Sequence, residues 1–249
     1  MLAYFKTMWG QKTVAVIFPT YREKKSIFKA IQEFDSTSYV DEIIVVDNNA
    51  ERGTRSEVKK TRAILITEKH QGLGQAIRAG IKNSHADLII IAEPDGTFDG
   101  KDIAKLLAYS DDFDTVFGTR THYSLIDKNS DMVFMRRILD FVFGRLINIL
   151  FLSSRLTDVG CILRLTNKKG WEKVAAECQA KGAIFITEWM LVAAKNKVKF
   201  IEIPVNFRSR VGRSSVTATF IDQAGWGVLI FFYIWKVWFY KVLGKKLYK

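Results

Sequence analysis

Residues 87–96 read DLIIIAEPDG. Residues 88–92 are a short, unbroken apolar run, which is typical of a strand that is buried on both faces of a sheet. The turn that follows carries two carboxylates, Glu93 and Asp95, separated by one proline. This stretch therefore predicts a central strand that delivers two acidic side chains to one end of a sheet.

Four other short apolar runs have the same character, and helical patterns separate several of them. Strands are predicted at 13–18, 41–47, 63–67, 87–92 and 114–118, and helices at 25–34, 74–84 and 102–109. Alternating strands and helices predict an α/β fold with a parallel sheet covered on both faces. In such sheets ligands bind beyond the carboxyl ends of the strands, which is where the polar segments 20–23, 47–49, 93–95 and Arg120 fall.

The composition favours a folded domain with a polyanionic partner and argues against zinc-binding and disulfide-rich proteins. A chain of 249 residues with 48% hydrophobic residues and 3 prolines fits one large folded domain and argues against disorder. The net charge of +12 favours a polyanionic partner, whether nucleic acid, phosphorylated substrate or anionic lipid. Two cysteines without metal-ligand spacing and three histidines argue against a zinc site and a disulfide framework. Residues 1–10 lack the pattern of a signal peptide, so we expect the cytoplasmic side of a membrane.

Two segments in the second half predict helices that lie at a membrane interface. Residues 132–152 are apolar except for a narrow polar stripe, and residues 226–243 are rich in aromatic side chains but interrupted by Lys236 and Lys241. A membrane span needs roughly 20 apolar residues, and each central lysine costs about 2.5–3.5 kcal/mol. An interfacial position is therefore favoured over a span, while a core helix followed by a basic tail stays open.

The acidic turn predicts a metal site. Two carboxylates on a tight turn bind a hard divalent cation directly or through water, and such a cation readily shares its coordination with phosphate oxygens. A cation in this position stabilises the charge that develops on a leaving diphosphate. We therefore expect Glu93 and Asp95 to be the metal-binding pair.

An ordered set of motifs resembles the family 2 glycosyltransferases, and within them the dolichyl- or polyprenyl-phosphate sugar synthases. The set extends from about Val14 to about Val216. No single motif is specific for the family, but the motifs in this order are. It consists of FPTYRE at 18–23, VVDN at 45–48, GLG at 72–74, EPD at 93–95, GTR at 118–120, TDVGC at 157–161, Glu188, EIPV at 202–205, and Arg208, Arg210, Gly212, Ser214 and Ser215.

The resemblance implies a Rossmann-like GT-A fold over residues 1–220, with residues 221–249 forming an interfacial tail. It implies an inverting, Mg²⁺- or Mn²⁺-assisted transfer of a sugar from a GDP- or UDP-linked donor to a polyprenyl or dolichyl phosphate. The protein would act at the cytoplasmic face of a membrane, bound peripherally. Two departures stand out: the acidic motif usually begins with aspartate rather than Glu93, and lysine often stands where this chain has Ser215.

The resemblance also implies roles for individual residues. The nucleotide sugar is expected to contact Pro19, Tyr21, Glu23, Val45, Asp47, Gly74, Glu93 and Asp95. The catalytic residues are expected to be Asp95, Arg120, Glu188 and Arg210. The acceptor phosphate is expected to bind Arg120, Arg136, Arg137, Arg210 and Ser214, since guanidinium groups hold phosphate by paired hydrogen bonds.

There are three alternative functions, and the first is a glycosyltransferase that uses a different acceptor. A soluble glycan or a protein hydroxyl would need a general base, for which Glu188 and Asp158 are the candidates, although Glu188 is equally well explained as an acidic residue at a helix N-terminus. A dinucleotide-dependent dehydrogenase is disfavoured because Ile77 stands where the glycine motif needs glycine. Nucleic-acid binding is disfavoured because carboxylates at the strand ends repel a phosphate backbone.

Overall fold

The computed structural model of the chain describes residues 9–130, 132, 134–212 and 220–248. All five predicted strands are confirmed, with ends that differ by one or two residues. They are β1 (Val14–Thr20), β2 (Glu42–Asp47), β3 (Ile64–Thr67), β4 (Leu88–Ile91) and β5 (Thr115–Thr119). Two further strands, which the sequence patterns did not indicate, are β6 (Arg164–Asn167) and β7 (Phe200–Pro204).

The seven strands form one sheet in the order β3-β2-β1-β4-β6-β5-β7. The pairs among β1 to β4 are parallel, as is β5 with β7, but β6 runs antiparallel between β4 and β5. The sequence predicted a parallel sheet, whereas the sheet is mixed because β6 runs antiparallel. The sequence RLTN of β6 looks like a polar loop, yet the Arg164 guanidinium is buried and donates to the backbone oxygens of Cys161, Ile162 and Ile186.

Helices cover both faces of the sheet. The α-helices of the described residues are α1 (Ile27–Asp35), α2 (Thr54–Val58), α3 (Leu73–Asn83), α4 (Asp102–Leu107), α5 (Phe134–Phe151), α6 (Lys168–Ala175), α7 (Phe185–Lys195) and α8 (Phe220–Val242). The predicted helices at 25–34, 74–84 and 102–109 correspond to α1, α3 and α4. The central strands are fully buried, as in β1, where Phe18 packs edge-to-face on Phe34 of α1. Each buried side chain of this size contributes about 1.5–3 kcal/mol to folding.

The polar stripe of α5 faces the protein. Asn148 accepts a hydrogen bond from the Leu156 backbone N–H at 3.0 Å, and Gly144 lies so close to the Leu156 carbonyl that a Cβ there would sit 2.3 Å from its oxygen. Asp140 of the same stripe is buried beside the cavity described below. The stripe is thus the contact between α5 and residues 156–160.

Helix α8 packs on α5 and α7 by one face and exposes apolar side chains on the other. Ile230, Ile234 and Val237 are buried, and Lys241 Nζ donates to the Leu150 backbone oxygen at 3.0 Å. The exposed apolar residues of α5 and α8 include Met135, Ile138, Phe141, Val142, Ile149, Val228, Leu229, Phe231, Phe232, Trp235, Phe239 and Val242. Within the described residues, no helix has both the length and the apolarity that crossing a bilayer requires. The domain limit near residue 220 and the interfacial position of these helices stay predictions.

Candidate active site

A cavity of about 360 Å³ opens at the carboxyl ends of β1, β2, β4 and β5. The side chains and backbone around it come from both halves of the chain. Its lining is Pro19, Thr20, Tyr21, Glu23, Asn48, Gln71, Gly72, Leu73, Ala76, Glu93, Pro94, Arg120, Arg136, Gly160, Ile162, Gly182, Ala183, Ile186, Thr187, Phe207, Arg210 and Trp226. The strand ends therefore bring acidic, aromatic and cationic groups to one place.

The acidic turn forms the floor of the cavity. Asp95 is buried, and its Oδ1 atom accepts hydrogen bonds from the Thr97 backbone N–H at 3.0 Å and the Thr97 hydroxyl at 2.6 Å. Its Oδ2 atom lies 2.5 Å from Nη1 of Arg210 and receives no other hydrogen bond from the described residues. One carboxylate oxygen is thus held by hydrogen bonds within the turn, and the other is paired with the Arg210 guanidinium.

Arg210 reaches this turn because its chain segment runs alongside it. The Arg208 N–H donates to the Thr97 carbonyl at 2.8 Å, and the Val211 N–H donates to the Asp95 carbonyl at 2.9 Å. Arg210 then bridges the two acids, with Nη2 donating to Glu93 Oε2 at 3.2 Å. Arg208 itself pairs with Glu33 and Asp99, outside the cavity lining.

The electrostatics of the acidic pair are those of a cation site. Burial, followed by the negative charge of Asp95, raises the pKa of Glu93 to about 7, and the positive charge of Arg210 opposes that rise. The two carboxylates repel each other, and the Arg210 guanidinium, which pairs with both, relieves the repulsion. Their oxygen atoms suit a divalent cation, which would take the place of Arg210 between them.

The side of the cavity next to β1 is built from a tight turn. Glu23 Oε2 accepts from the backbone N–H groups of Tyr21 at 2.6 Å and Arg22 at 2.8 Å, and burial raises the pKa of Glu23. A hydrogen bond with Gln71 lowers the pKa of the Tyr21 phenol. The Tyr21 ring and the Glu23 carboxyl thus stand together beside Pro19.

Asn48, immediately after β2, organises the neighbouring loop. Its amide donates to the Glu68 and His70 carbonyls, both at 2.8 Å, and its Oδ1 atom accepts from the Gly72 N–H at 2.7 Å. Gly72 has φ of 143°, and a Cβ there would lie 2.2 Å from the Lys181 carbonyl oxygen. Only glycine allows this close approach, which brings the start of α3 against residues 180–182.

The far side of the cavity carries two arginines that differ in burial and in ion pairing. Arg120 is buried and forms a two-pronged ion pair with Asp158, with Nε to Oδ2 and Nη2 to Oδ1 both at 2.8 Å. This pairing holds the pKa of Asp158 below its usual range. Arg136 of α5 is 24% exposed, and its Nε lies 4.0 Å from Oδ2 of Asp140. Arg136 is therefore the more available cation of the two.

Two further acids, the half-buried Glu202 and the buried Asp140, support this side. Glu202 of β7 accepts from the backbone N–H groups of Thr157 at 2.7 Å and Asp158 at 3.0 Å, which fixes the turn that holds the ion pair with Arg120. Burial raises the pKa of Glu202 to about 7. Burial and the charge of Asp158 also raise the pKa of Asp140 to about 7, against the pull of the nearby arginines.

The sequence profile of glycosyl transferase family 2 matches residues 15–162, which is more than half of the chain. The chain belongs to glycosyl transferase family 2. This glycosyltransferase is 25% identical over 219 residues to the UDP-N-acetylglucosamine–dolichyl-phosphate N-acetylglucosaminyltransferase of Methanococcus voltae, a match that covers 79% of the chain and 86% of that protein. It is 22% identical over 210 residues to the low-salt glycan biosynthesis hexosyltransferase Agl6 of Haloferax volcanii. That match covers 82% of the chain but only 50% of the relative's length.

Solved structures show the same fold. The glycosyltransferase superposes on glucosyl-3-phosphoglycerate synthase of Mycobacterium tuberculosis, solved in complex with Mn²⁺, UDP-glucose and phosphoglyceric acid, with a TM-score of 0.67. The sequences are 13% identical, and the match covers 94% of this chain and 83% of the other. The predicted GT-A fold is thereby confirmed.

The predicted site residues of the glycosyltransferase divide into two groups. Those that line the cavity are Pro19, Tyr21, Glu23, Glu93, Arg120, Arg136 and Arg210. Asp95 is buried and does not line the cavity itself, but it is ion-paired with the lining residue Arg210. Those that do not line it are Val45, Asp47, Gly74, Arg137 and Glu188. Ser214, together with Arg213 and Ser215, lies outside the described residues.

Each residue of the second group has other neighbours. Val45 is buried within β2, and Asp47 accepts from the Ala50 N–H and pairs with Arg55. A Cβ on Gly74 would lie 2.2 Å from the Ala180 carbonyl oxygen, so this glycine serves close packing. The Arg137 guanidinium lies over the Tyr123 ring, at 5.7 Å from its centre. Glu188 accepts hydrogen bonds from the hydroxyls of Tyr233 and Tyr248.

Several cavity residues were not predicted. Asn48 lies in the VVDN motif at 45–48 and Gln71 immediately precedes the GLG motif at 72–74, but the sequence analysis gave neither residue a role. Thr187, Phe207 and Trp226 come from segments that meet the cavity only through tertiary packing. The aromatic character of residues 226–243 predicted a membrane interface, and nothing in it indicated that Trp226 lines the cavity.

Proposed function

We propose that this protein transfers a sugar from a nucleoside-diphosphate sugar, GDP- or UDP-linked, to a polyprenyl or dolichyl phosphate at a membrane surface. The observation that carries the proposal is the cavity itself. It has the acidic turn with Glu93 at one side and an available arginine, Arg136, at the other. A donor diphosphate and an acceptor phosphate both require compensating positive charge, and the two sides supply it separately.

The acidic pair suits Mg²⁺ or Mn²⁺. Among the described residues no cluster of three or more histidine, cysteine, aspartate or glutamate side chains is arranged to hold a metal, so Glu93 and Asp95 would bind an ion whose other ligands are phosphate and water. Sharing of this kind is usual for Mg²⁺ bound at one or two carboxylates. When bound, the ion stabilises the charge that grows on the departing diphosphate. The Mycobacterium tuberculosis synthase was solved with Mn²⁺ and UDP-glucose, which supports this choice of cofactor and donor class.

The acceptor is proposed to be a phosphate because neither of the two acids considered as a general base, Asp158 and Glu188, is free to act on a hydroxyl in the cavity. Asp158 is committed to Arg120, and Glu188 does not line the cavity. A phosphate monoester has a second pKa of about 6, so it is already anionic at neutral pH and needs no proton acceptor. Positioning by Arg136 and charge compensation are then sufficient. The dolichyl-phosphate transferase relative from Methanococcus voltae supports the same acceptor class.

The test of the proposal is a donor and acceptor screen. UDP- and GDP-linked sugars are incubated with the protein, Mn²⁺ and a polyprenyl phosphate, and the lipid fraction is examined by mass spectrometry. We expect a glycolipid whose formation depends on one donor base. Transfer to soluble sugars or peptides, with none to the lipid phosphate, would favour the hydroxyl-acceptor alternative instead.

The exposed apolar residues of α5 and α8 are proposed to rest on the membrane. Arg136 of α5 and Trp226 of α8 both line the cavity, so the same two helices carry the apolar face and the acceptor side of the site. A polyprenyl chain leaves the bilayer at a cost of about 0.8 kcal/mol per exposed CH₂ group. An enzyme that places its cavity at the surface avoids most of that cost.

We predict that Phe232→Glu/Phe239→Glu weakens binding to vesicles about 10-fold or more. These two residues are 64% and 56% exposed and lie two turns apart on α8. Loss of their insertion, together with repulsion from anionic lipids, removes at least about 1.4 kcal/mol of binding free energy. The measurement is co-flotation with vesicles of phosphatidylglycerol and phosphatidylcholine.

The matched control is Ile64→Glu. Ile64 is 50% exposed and lies on the edge strand β3, away from α5 and α8. We expect this variant to float with vesicles as the unaltered protein does. Equal binding by the double phenylalanine variant would contradict the proposed surface.

A further inference from the structure

The surroundings of Glu188 fit neither a catalytic base nor an acidic residue that only stabilises a helix N-terminus. It lies in the first turn of α7 and is fully buried. Its Oε1 atom accepts hydrogen bonds from the hydroxyls of Tyr233 at 2.5 Å and Tyr248 at 2.8 Å. Its Oε2 atom accepts from the Ala180 N–H at 2.8 Å. Three donors from three parts of the chain thus converge on one carboxylate.

The two tyrosines belong to the end of the chain. Tyr233 is on α8, and Tyr248 lies in the segment that follows that helix and turns back onto the protein. The tyrosine hydroxyls are 2.9 Å apart, and Leu247 is buried with its N–H donating to Glu177 Oε2 at 2.7 Å. Lys236 Nζ lies over both tyrosine rings, at 5.2 and 5.4 Å from their centres. The carboxylate therefore fastens α8 and the C-terminal segment to α7.

Both structures that Glu188 joins also line the cavity. The chain between Ala180 and Glu188 contributes four lining residues, Gly182, Ala183, Ile186 and Thr187. Helix α8 contributes Trp226, which is seven residues, or about two turns, before Tyr233 and so lies on the same side of the helix. A change at Glu188 would therefore displace Trp226 and residues 182–187, which line the cavity together, relative to each other.

We infer that Glu188 is a positioning residue that fixes Trp226 and residues 182–187 as one wall of the acceptor side through its hydrogen bonds to Tyr233, Tyr248 and Ala180. This inference rests on the proposed function for the identity of the acceptor. A general base must come within about 2.6–3.2 Å of the proton it removes. Glu188 is outside the cavity lining and is occupied by three donors, so its role is to hold the wall.

Substitution by glutamine separates the two roles. In Glu188→Gln the amide oxygen accepts from Ala180 N–H and the amide NH₂ donates to the phenol oxygens, which accept as well as donate. The fastening is kept while the basic carboxylate is lost. We expect kcat within about threefold of the unaltered enzyme, whereas loss of a general base lowers the rate by about 10²–10⁴-fold.

The double variant Tyr233→Phe/Tyr248→Phe tests the loss of the two hydrogen bonds to Glu188 while the carboxylate is kept. This double variant keeps both rings and deletes only the two hydroxyls. We expect the KM for polyprenyl phosphate to rise about 10-fold, with kcat and the donor KM within about twofold. Tyr240→Phe is the matched control, since Tyr240 is also on α8 and is not bonded to Glu188.

A second measurement does not depend on transfer. Hydrogen–deuterium exchange of the amides of residues 180–187 should become about 10-fold faster in the double tyrosine variant and stay unchanged in Glu188→Gln and Tyr240→Phe. If the unaltered protein transfers no sugar to a lipid phosphate, the proposed function fails and the exchange experiment still decides the role of Glu188.

Two results would overturn the inference. One is a 100-fold or greater loss of kcat in Glu188→Gln with unchanged exchange, which would make Glu188 a base. The other is a double tyrosine variant whose exchange and acceptor KM both match those of the unaltered protein. If Glu188→Gln does not fold, the double tyrosine variant decides alone.

Discussion

Asp95→Ala is expected to abolish sugar transfer while the protein stays folded. The substitution removes one of two carboxylates proposed to bind the cation, and loss of about 4 kcal/mol of stabilisation of the leaving diphosphate slows the reaction roughly 10³-fold. The hydrogen bonds from Thr97 to Asp95 are lost as well, at a cost of about 1–2 kcal/mol, which a folded domain tolerates. Activity is measured with the donor identified by the screen, and folding by circular dichroism and urea unfolding.

Asp95→Asn refines this test. Its Oδ1 atom can keep both hydrogen bonds from Thr97, so the change is confined to Oδ2, which loses its negative charge, its ion pair with Arg210 and its proposed place as a metal ligand. Asp111→Ala is the control, because Asp111 is exposed and pairs only with Lys12 at the surface. We expect the control within twofold of the unaltered enzyme. More than a tenth of normal activity in Asp95→Asn would refute the metal-binding role.

Arg120→Ala is expected to lower the free energy of unfolding by about 3–5 kcal/mol, because it leaves Asp158 as an uncompensated buried charge. The side chain of Arg120 is 5% exposed and that of Asp158 is fully buried. The measurement is urea unfolding at neutral pH. Loss of activity in this variant would therefore report loss of structure as well as loss of a phosphate contact.

Two companion variants decide how the result is interpreted. Arg136→Ala, with its partly exposed side chain 4.0 Å from Asp140, should cost less than about 1 kcal/mol and raise the acceptor KM. Arg120→Met/Asp158→Asn should recover part of the lost stability, since it removes the unpaired charge. Unchanged stability in Arg120→Ala would contradict the structural role of this ion pair.

Much of the fold could be predicted because the central strands are apolar on both faces. Their burial leaves unbroken runs of valine and isoleucine, and the alternating helices mark the connections between strands. The convergence of Glu23, Glu93 and Arg120 followed from the rule that strand ends meet at one edge of the sheet. These inferences needed only local patterns.

What could not be predicted depends on contacts between distant segments. β6 is short and contains Arg164, whose burial is allowed only by the backbone oxygens around it. The ion pairs of Arg210 with the acidic turn arise because residues 208–211 run beside residues 95–97, and no local pattern indicates that pairing. Glu188 looked like a site residue because its motif matches the family, whereas its partners come from the last part of the chain.

The helices α5 and α8 show how one pattern can have two meanings. The stripe on α5 predicted a polar face, and in the structure that face contacts residues 156–160 through Gly144 and Asn148. The aromatic residues of α8 predicted a membrane interface, and part of that helix is instead buried on α7. Apolar surface alone does not distinguish a protein neighbour from a lipid one.

The central claim is that a divalent cation at Asp95 meets the diphosphate of the donor. The most direct test is a crystal grown with Mn²⁺ and UDP or GDP, with anomalous differences recorded at the manganese edge. We predict a peak within about 2.5 Å of a carboxylate oxygen of Asp95, in contact with diphosphate oxygens. A nucleotide bound in the cavity without manganese at this turn, or manganese bound elsewhere, would contradict the account.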